Sequence, residues 1–172
     1  MDTRSAAEAT TMDRTTIERT SEQDLVVTRT IDGPRDVVFE AWTDAELFRQ
    51  WWVPKSMGLT LLSCEVDARV GGGYRLTFDV GTNEPMAFYG RYLEVTPPTR
   101  LVWTNEEGDE GTVVTTVTFE EDGAATRLVI RDRYPSQEAL DAAMASGATG
   151  WNPETFDQLD ELLVRLGTNT RR

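Results

Sequence analysis

The chain has no histidine, one cysteine and one lysine among its 172 residues. Without an imidazole it cannot assemble a Ser-His-Asp triad, a Cys-His pair, a histidine-ligated zinc or a histidine proton shuttle, which removes most familiar hydrolytic chemistry. The lone thiol, Cys64, has no second cysteine with which to form an intrachain disulfide. Basic residues are scarce: 17 Lys and Arg stand against 30 Asp and Glu, giving a formal charge of −13. That is the wrong sign for gripping a phosphate backbone or an anionic bilayer, so no nucleic acid partner is expected. No apolar run approaches the about 20 residues of a membrane span or the core of a secretory signal, so membrane insertion is not expected and a cytoplasmic location is. No cofactor-binding motif is present, and none is expected to be needed.

What is present suffices for one core. Hydrophobic residues make up 39% of the chain, and no aromatic residue precedes Phe39. The first 23 residues hold only six apolar side chains among many Thr, Ser, Glu and Arg, too few to offset the entropy of ordering them. The expected organisation is an unstructured tail over residues 1–23, one domain over 24–167 and an unstructured end over 168–172.

Within that domain the apolar period changes twice. Leu25 to Ile31 reads as a strand, closed by Asp32-Gly33-Pro34, with Pro34 expected at the first position of a helix carrying Val38, Ala41 and Trp42. Thr43-Asp44-Ala45-Glu46 has the form of a capping box, opening a short helix with Leu47, Phe48, Trp51 and Trp52 on its apolar face. From residue 59 the period is two: Leu62, Cys64 and Val66 are expected inward, as are Tyr74, Leu76, Phe78 and Val80, then Val113, Thr115, Val117 and Phe119, then Leu128 and Ile130. Met86 to Val95 and Leu101 to Thr104 supply two further strands. A helical stretch follows Pro135-Ser136, and Pro153 to Leu166 is an amphipathic helix with Phe156, Leu159, Leu163 and Leu166 on one stripe. The order strand, two short helices, six strands, long helix predicts an α+β fold, a curved antiparallel sheet of about seven strands wrapped on the C-terminal helix. Such a sheet leaves room for a cleft, and the residues expected to line it are Trp42, Trp51, Trp52, Tyr74, Phe78, Trp103, Trp151 and Phe156.

The segments VTRTIDGPRDVVFEAWTDAELFRQWWVP, CEVDARVGGGYRLTF, GRYLEVTPPTRLVWT and VTFEEDGAATRLVI, with a late GW before an amphipathic helix, resemble the SRPBCC or START-like superfamily. The resemblance is to the branch related to the C-terminal domain of the activator of heat-shock protein 90 ATPase. It spans residues 24 to 167 and implies the helix-grip fold, with a cavity between the sheet and the long helix. Members of the superfamily include lipid and hormone carriers, polyketide cyclases and chaperone activators, so the resemblance is far more specific for fold than for activity.

Several further residues carry groups capable of chemistry. Lys55 reads as a solvated loop lysine, and Glu65 and Asp67, by strand parity, as carboxylates pointing to water. Glu106, Glu107, Asp109 and Glu110 form an acidic turn without a fixed cation-binding loop geometry, and Gly71-Gly72-Gly73 reads as a bend, since no P-loop lysine follows it. Cys64 reads as a small buried apolar residue. Arg29 shares parity with Leu25, Val27 and Ile31, so it is either buried with a carboxylate or polar ligand as partner or snorkels from an edge. Three functions follow: non-catalytic binding of a small hydrophobic ligand, lipid-like or aromatic; a chaperone-linked interaction module; and a cyclase-type enzyme working without histidine. The first is the reading adopted from the sequence, with no catalytic residue and no metal ligand assigned.

Overall fold

The computed structural model describes residues 9–12, 15–53, 55–79, 81, 84–106, 112–146 and 153–166. The strands are β1 Ala9–Met12, β2 Thr15–Arg19, β3 Asp24–Ile31, β4 Thr60–Val66, β5 Gly73–Asp79, β6 Met86–Thr96, β7 Arg100–Asn105, β8 Val113–Asp122 and β9 Ala125–Arg133. The helices are α1 Arg35–Thr43, α2 Ala45–Phe48, α3 Gln137–Ser146 and α4 Pro153–Leu166, with a 3-10 turn at Lys55–Met57. All nine strands form one antiparallel sheet in the order β1-β2-β3-β9-β8-β7-β6-β5-β4. This is the expected α+β architecture: the seven strands from β3 to β9 follow the sequence reading, and two more extend the β3 edge.

Those two lie in the stretch expected to be unstructured, and the difference has a physical cause. Composition measures what a segment can bury by itself, whereas β2 pairs along β3 from Thr15↔Arg29 to Arg19↔Leu25 and so completes backbone hydrogen bonds at an otherwise open edge. Only Thr15 is fully buried in it, and Ile17 is half-buried against the core. Residues 1–8 and 168–172 lie outside the described residues.

Strand parity holds for β5, β8 and β9, where Leu76, Phe78, Val117, Phe119, Leu128 and Ile130 are buried. Among the strands whose inward residues are read from the sequence, it fails at the start of β4. The β4–β5 register steps from Leu61↔Phe78 to Ser63↔Thr77, so Leu62 is the extra residue of a bulge. The face therefore switches: Leu61 packs on the core, Leu62 is 51% exposed, and Cys64 and Val66 face inward as expected. Helix entry also differs in detail. Pro34 is the N-cap of α1 rather than its first residue, and Asp44, not Thr43, caps α2, its side chain accepting from the backbone N–H groups of Glu46 and Leu47. The Thr43 hydroxyl instead donates back to the Phe39 carbonyl oxygen at 3.1 Å.

The concave face of the sheet carries the main core, in which Val27, Val117 and Ile130 meet Val38 and Trp42 of α1 and Phe156, Leu159 and Leu163 of α4. A second, smaller cluster packs Leu25 and Tyr134 against Ala139 and Leu140 of α3. The Gly71–Gly73 bend joins β4 to β5, with Gly71 at φ 87°, a conformation that favours glycine.

Candidate functional site

Of the eight aromatic candidates, Trp42, Trp51, Phe78 and Phe156 are almost fully buried, Trp103 is 8% exposed, and Trp52 and Tyr74 are half-buried. Trp151 lies outside the described residues. Trp42 is the hub: its ring centroid is 5.0 Å from Trp51, 6.2 Å from Trp52 and 5.9 Å from Trp103. Tyr74 joins the group through Trp103 at 6.4 Å. Phe78 meets Phe88 at 5.3 Å, and Phe156 lies beneath the Arg29 guanidinium at 5.8 Å. These geometries are those of offset and edge-to-face packing in a core. The structure thus gathers Trp42, Trp51, Trp52, Trp103 and Tyr74 and sets Trp52, Tyr74 and Trp103 at the margin of the packed interior.

At that margin a row of polar groups crosses four strands. The Tyr74 hydroxyl on β5 reaches Asn105 Oδ1 at 2.8 Å and the Thr104 carbonyl oxygen at 3.0 Å. The Trp103 indole N–H donates to the same Asn105 Oδ1 at 3.2 Å. Asn105 Nδ2 donates to Thr115 Oγ1 at 2.8 Å and to the Val113 carbonyl oxygen at 3.2 Å. Thr115 donates in turn to Asp132 Oδ1 at 2.6 Å, and Asp132 is 4% exposed. The cross-strand partners Trp103↔Thr115↔Asp132 bring these positions side by side on the concave face. Close approach of β6 to β7 is part of the arrangement: a Cβ on Gly90 would sit 1.7 Å from the Thr104 carbonyl oxygen, so only glycine fits. Tyr74 and Gly90 also line a depression of about 280 Å³, together with Val66, Glu65, Asp67 and Arg75.

Asn105 and Asp132 were not singled out from the sequence. The signal for Asp132 was available, because the two-residue period through Leu128 and Ile130 lands on it; Asn105 follows Trp103 by the same rule. Lys55, Glu65 and Asp67 fall where expected. Lys55 and Glu65 are exposed, and Asp67 is exposed and pairs with Arg69 at 2.9 Å. Glu106 pairs with Arg91 at 3.0 Å and accepts from Thr104, which together hold its carboxyl below the usual range; Glu107, Asp109 and Glu110 lie outside the described residues. Cys64 is half-buried, and burial raises its thiol above the ordinary value. Among the described residues no group of three or more Cys, Asp or Glu side chains could hold a metal ion.

Helix α4 fixes the aromatic loop from the other side. Gln158 donates to the carbonyl oxygens of Trp51 at 2.9 Å and Val53 at 2.8 Å and accepts from the Lys55 N–H at 2.8 Å. Glu154 accepts from the Ser56 hydroxyl and its N–H. Arg29 resolves the alternative left by its parity: it is 1% exposed and its Nη2 reaches Asp157 and Asp160 of α4, each at 2.8 Å, while Nη1 donates to Thr15 at 3.1 Å. Burial raises the Asp160 carboxyl above its usual value, opposed by the Asp32 N–H and Arg29.

Two tyrosines set an alkaline limit. Burial pushes the Tyr92 and Tyr134 hydroxyls far above the ordinary tyrosine value, with Asp132 adding to the effect at Tyr134. An unfolded chain loses both protons near pH 10, while the folded chain keeps them, so the unfolded state is favoured as pH rises beyond that point. Stability is expected to be unaffected by these groups below about pH 9 and to fall above pH 10 by about 1.4 kcal/mol per pH unit for each tyrosine. Urea melts between pH 8 and pH 11 check this, with Tyr92→Phe and Tyr134→Phe each reducing the slope.

The family model described as "Activator of Hsp90 ATPase homolog 1-like protein" matches residues 32–164. The chain belongs to this family. Solved structures agree with the AHSA1-like assignment. A protein from Rhodobacter sphaeroides is 23% identical, with a TM-score of 0.78 over 87% of this chain and 97% of its own. One from Nitrosomonas europaea is 26% identical, with a TM-score of 0.74 over 87% and 99%. An AHSA1-like protein from Aeromonas hydrophila, 19% identical, has a TM-score of 0.64 over 86% and 97%. No curated protein sequence matches the chain. The AHSA1-like match and these neighbours support the START-like helix-grip relation drawn from the sequence motifs, and they bear on function only coarsely, as ligand binding or a related role. No helix among the described residues is long and apolar enough to cross a membrane.

Proposed function

We propose that the protein binds a small, mainly apolar molecule without chemically changing it, between the concave face of the sheet and the helices that cover it. The observation that carries the reading is Tyr74, which is shared by the aromatic group, the polar row and the depression of about 280 Å³. Apolar walls with a few convergent polar groups are the usual composition of small-molecule sites, which run from about 300 Å³ upward. At about 280 Å³ the depression falls just short of that range, which favours a one- or two-ring aromatic or alicyclic compound over a long-chain lipid. Trp52, Tyr74 and Trp103 supply the apolar contact, and the half-buried Tyr74, through its hydroxyl, orients the polar end. Trp42, Trp51, Phe78 and Phe156 act as the packed floor, and Trp151 belongs to the set proposed from the sequence.

A thermal-melt panel of one- and two-ring compounds tests the reading. A true ligand at a hundredfold excess over Kd adds about 2.7 kcal/mol of stability, which for a chain of this size raises Tm by at least about 5 °C. Trp103→Leu should abolish the shift while leaving a folded protein. A panel that produces no saturable shift would remove the ligand-binding reading.

The family description favours a second reading, a chaperone-linked interaction module. It predicts that the full chain forms a complex with heat-shock protein 90 and alters its ATPase rate. A rate unchanged at saturating concentration would exclude it.

A further inference from the structure

We infer that β2 is a strap that holds α3 closed on the sheet, so that the two lift together as a lid and leave the rest of the domain, α4 included, in place. The lid is independent of the ligand-binding reading, because it concerns which elements open and not what enters.

Three side chains alternate on the inner face of β2, and each ties the strand to a different part of the domain. The Thr15 hydroxyl oxygen accepts from Arg29 Nη1 at 3.1 Å. Ile17 is half-buried and packs against both apolar clusters, including the smaller one that holds Ala139 and Leu140 of α3. Arg19 reaches Asp141 of α3 at 2.7 Å. Its guanidinium is already fixed, because Nε donates to the Ser21 carbonyl oxygen at 3.2 Å and Nη2 to that of Glu22 at 3.0 Å. An arginine held in this way has little freedom left to lose, so the pair escapes much of the entropic cost that weakens surface ion pairs.

Helix α3 is thinly anchored. Among its described side chains only Ala139 and Leu140 are buried, while Ala143 is half-buried and Met144 is exposed. Helix α4, by contrast, buries Phe156, Leu159, Leu162 and Leu163. Elements with few buried apolar groups open locally, at a free energy below that of global unfolding. Strand β2 can join such an opening without stripping the sheet of a core strand, because β3 is also paired with β9 from Asp24↔Arg133 to Ile31↔Thr126. Strand β1, paired with β2, follows it. Arg29 then loses Thr15 but keeps Asp157 and Asp160, so α4 stays anchored. What the lid uncovers is Leu25 and Tyr134, the apolar floor beneath α3.

Hydrogen exchange of the full chain at pH 7, followed by mass spectrometry, tests the strap. The protected amides of β2 and α3 are expected to agree within about threefold in protection factor and to lie at least about tenfold below those of β8 and α4. Ile17→Thr, which keeps a β-branched residue in the strand, should lower protection in α3 about fivefold and leave α4 unchanged. Coupling is reciprocal, so Leu140→Ala in α3 should lower protection in β2. Asp141→Asn alters only an exposed carboxylate and folds regardless; it should lower protection in both elements about twofold. If Ile17→Thr leaves α3 unchanged, or Leu140→Ala leaves β2 unchanged, the elements open separately and the strap is overturned. An equal loss of protection in β8 and α4 would overturn it too, since that marks one global opening. Should either core variant fail to fold, Asp141→Asn decides by whether β2 responds to a change made in α3.

Discussion

Arg29→Met is expected to lower stability by about 3 kcal/mol, measured as a shift in the urea midpoint at pH 7 with an unchanged slope. The guanidinium is fully buried and faces Asp157 and Asp160, which are 47% and 17% exposed. Removing one member of a buried ion pair costs about 3–5 kcal/mol, because the remaining charge stays desolvated. Asp157 retains much of its water, so most of the penalty falls on Asp160 and the lower end of the range applies. The attribution has its own check. Adding Asp160→Asn to Arg29→Met removes the stranded charge while the amide oxygen can still accept from the Asp32 N–H, which the carboxylate holds at 2.9 Å. The double variant should regain about 1–2 kcal/mol, roughly a third to two thirds of the loss. A double variant less stable than Arg29→Met would mean that the arginine acts through packing against Phe156 rather than through charge.

Trp51→Ala should cost still more, about 3–5 kcal/mol, the usual range for deleting a buried tryptophan. The side chain is fully buried, its indole N–H donates to the Ala41 carbonyl oxygen at 3.0 Å, and its ring touches Trp42, Phe48 and Trp52 at 5.0, 5.3 and 5.6 Å. Deletion opens a cavity beneath three other aromatic rings and strands a buried carbonyl. Trp51→Phe should cost about 1–3 kcal/mol, since it fills most of the space but leaves that carbonyl without its donor. Trp52→Ala, at a half-buried position, should cost less than Trp51→Ala. Denaturant melts of the three variants, read by circular dichroism because the fluorophores themselves change, rank them; a Trp52 variant weaker than the Trp51 one would relocate the centre of the core.

Most of the sheet was legible because alternation is a local signal. Tyr74, Leu76 and Phe78, or Val117 and Phe119, announce their face within five residues. The bulge at Leu62 was not legible, because an extra residue changes no composition and shows itself only in the β5 strand it fails to match. The two N-terminal strands escaped for a related reason: β2 completes its hydrogen bonds on β3 and β1 follows on β2, and a count of apolar residues in a segment cannot register a partner outside it. At Arg29 the sequence delivered half of an answer. Parity required a buried charge to be paired, yet the carboxylates that pair it are 128 and 131 residues away in the chain. Apart from Trp151, outside the described residues, the aromatic candidates lie in or against the core, and which of them pack and which stand at the margin depends on three-dimensional closure. The polar row was missed at Asn105 and Asp132 because polar residues were assumed to mark the outer face, although the same alternation carried both inward.

Gln158 grips the aromatic loop by its main chain, through the oxygens of residues 51 and 53 and the nitrogen of residue 55. Main-chain atoms are common to every amino acid. The course of that loop is therefore insured against drift in its own side chains: tryptophans can be exchanged there over generations, altering what the interior accommodates, while the path that presents them stays where α4 holds it.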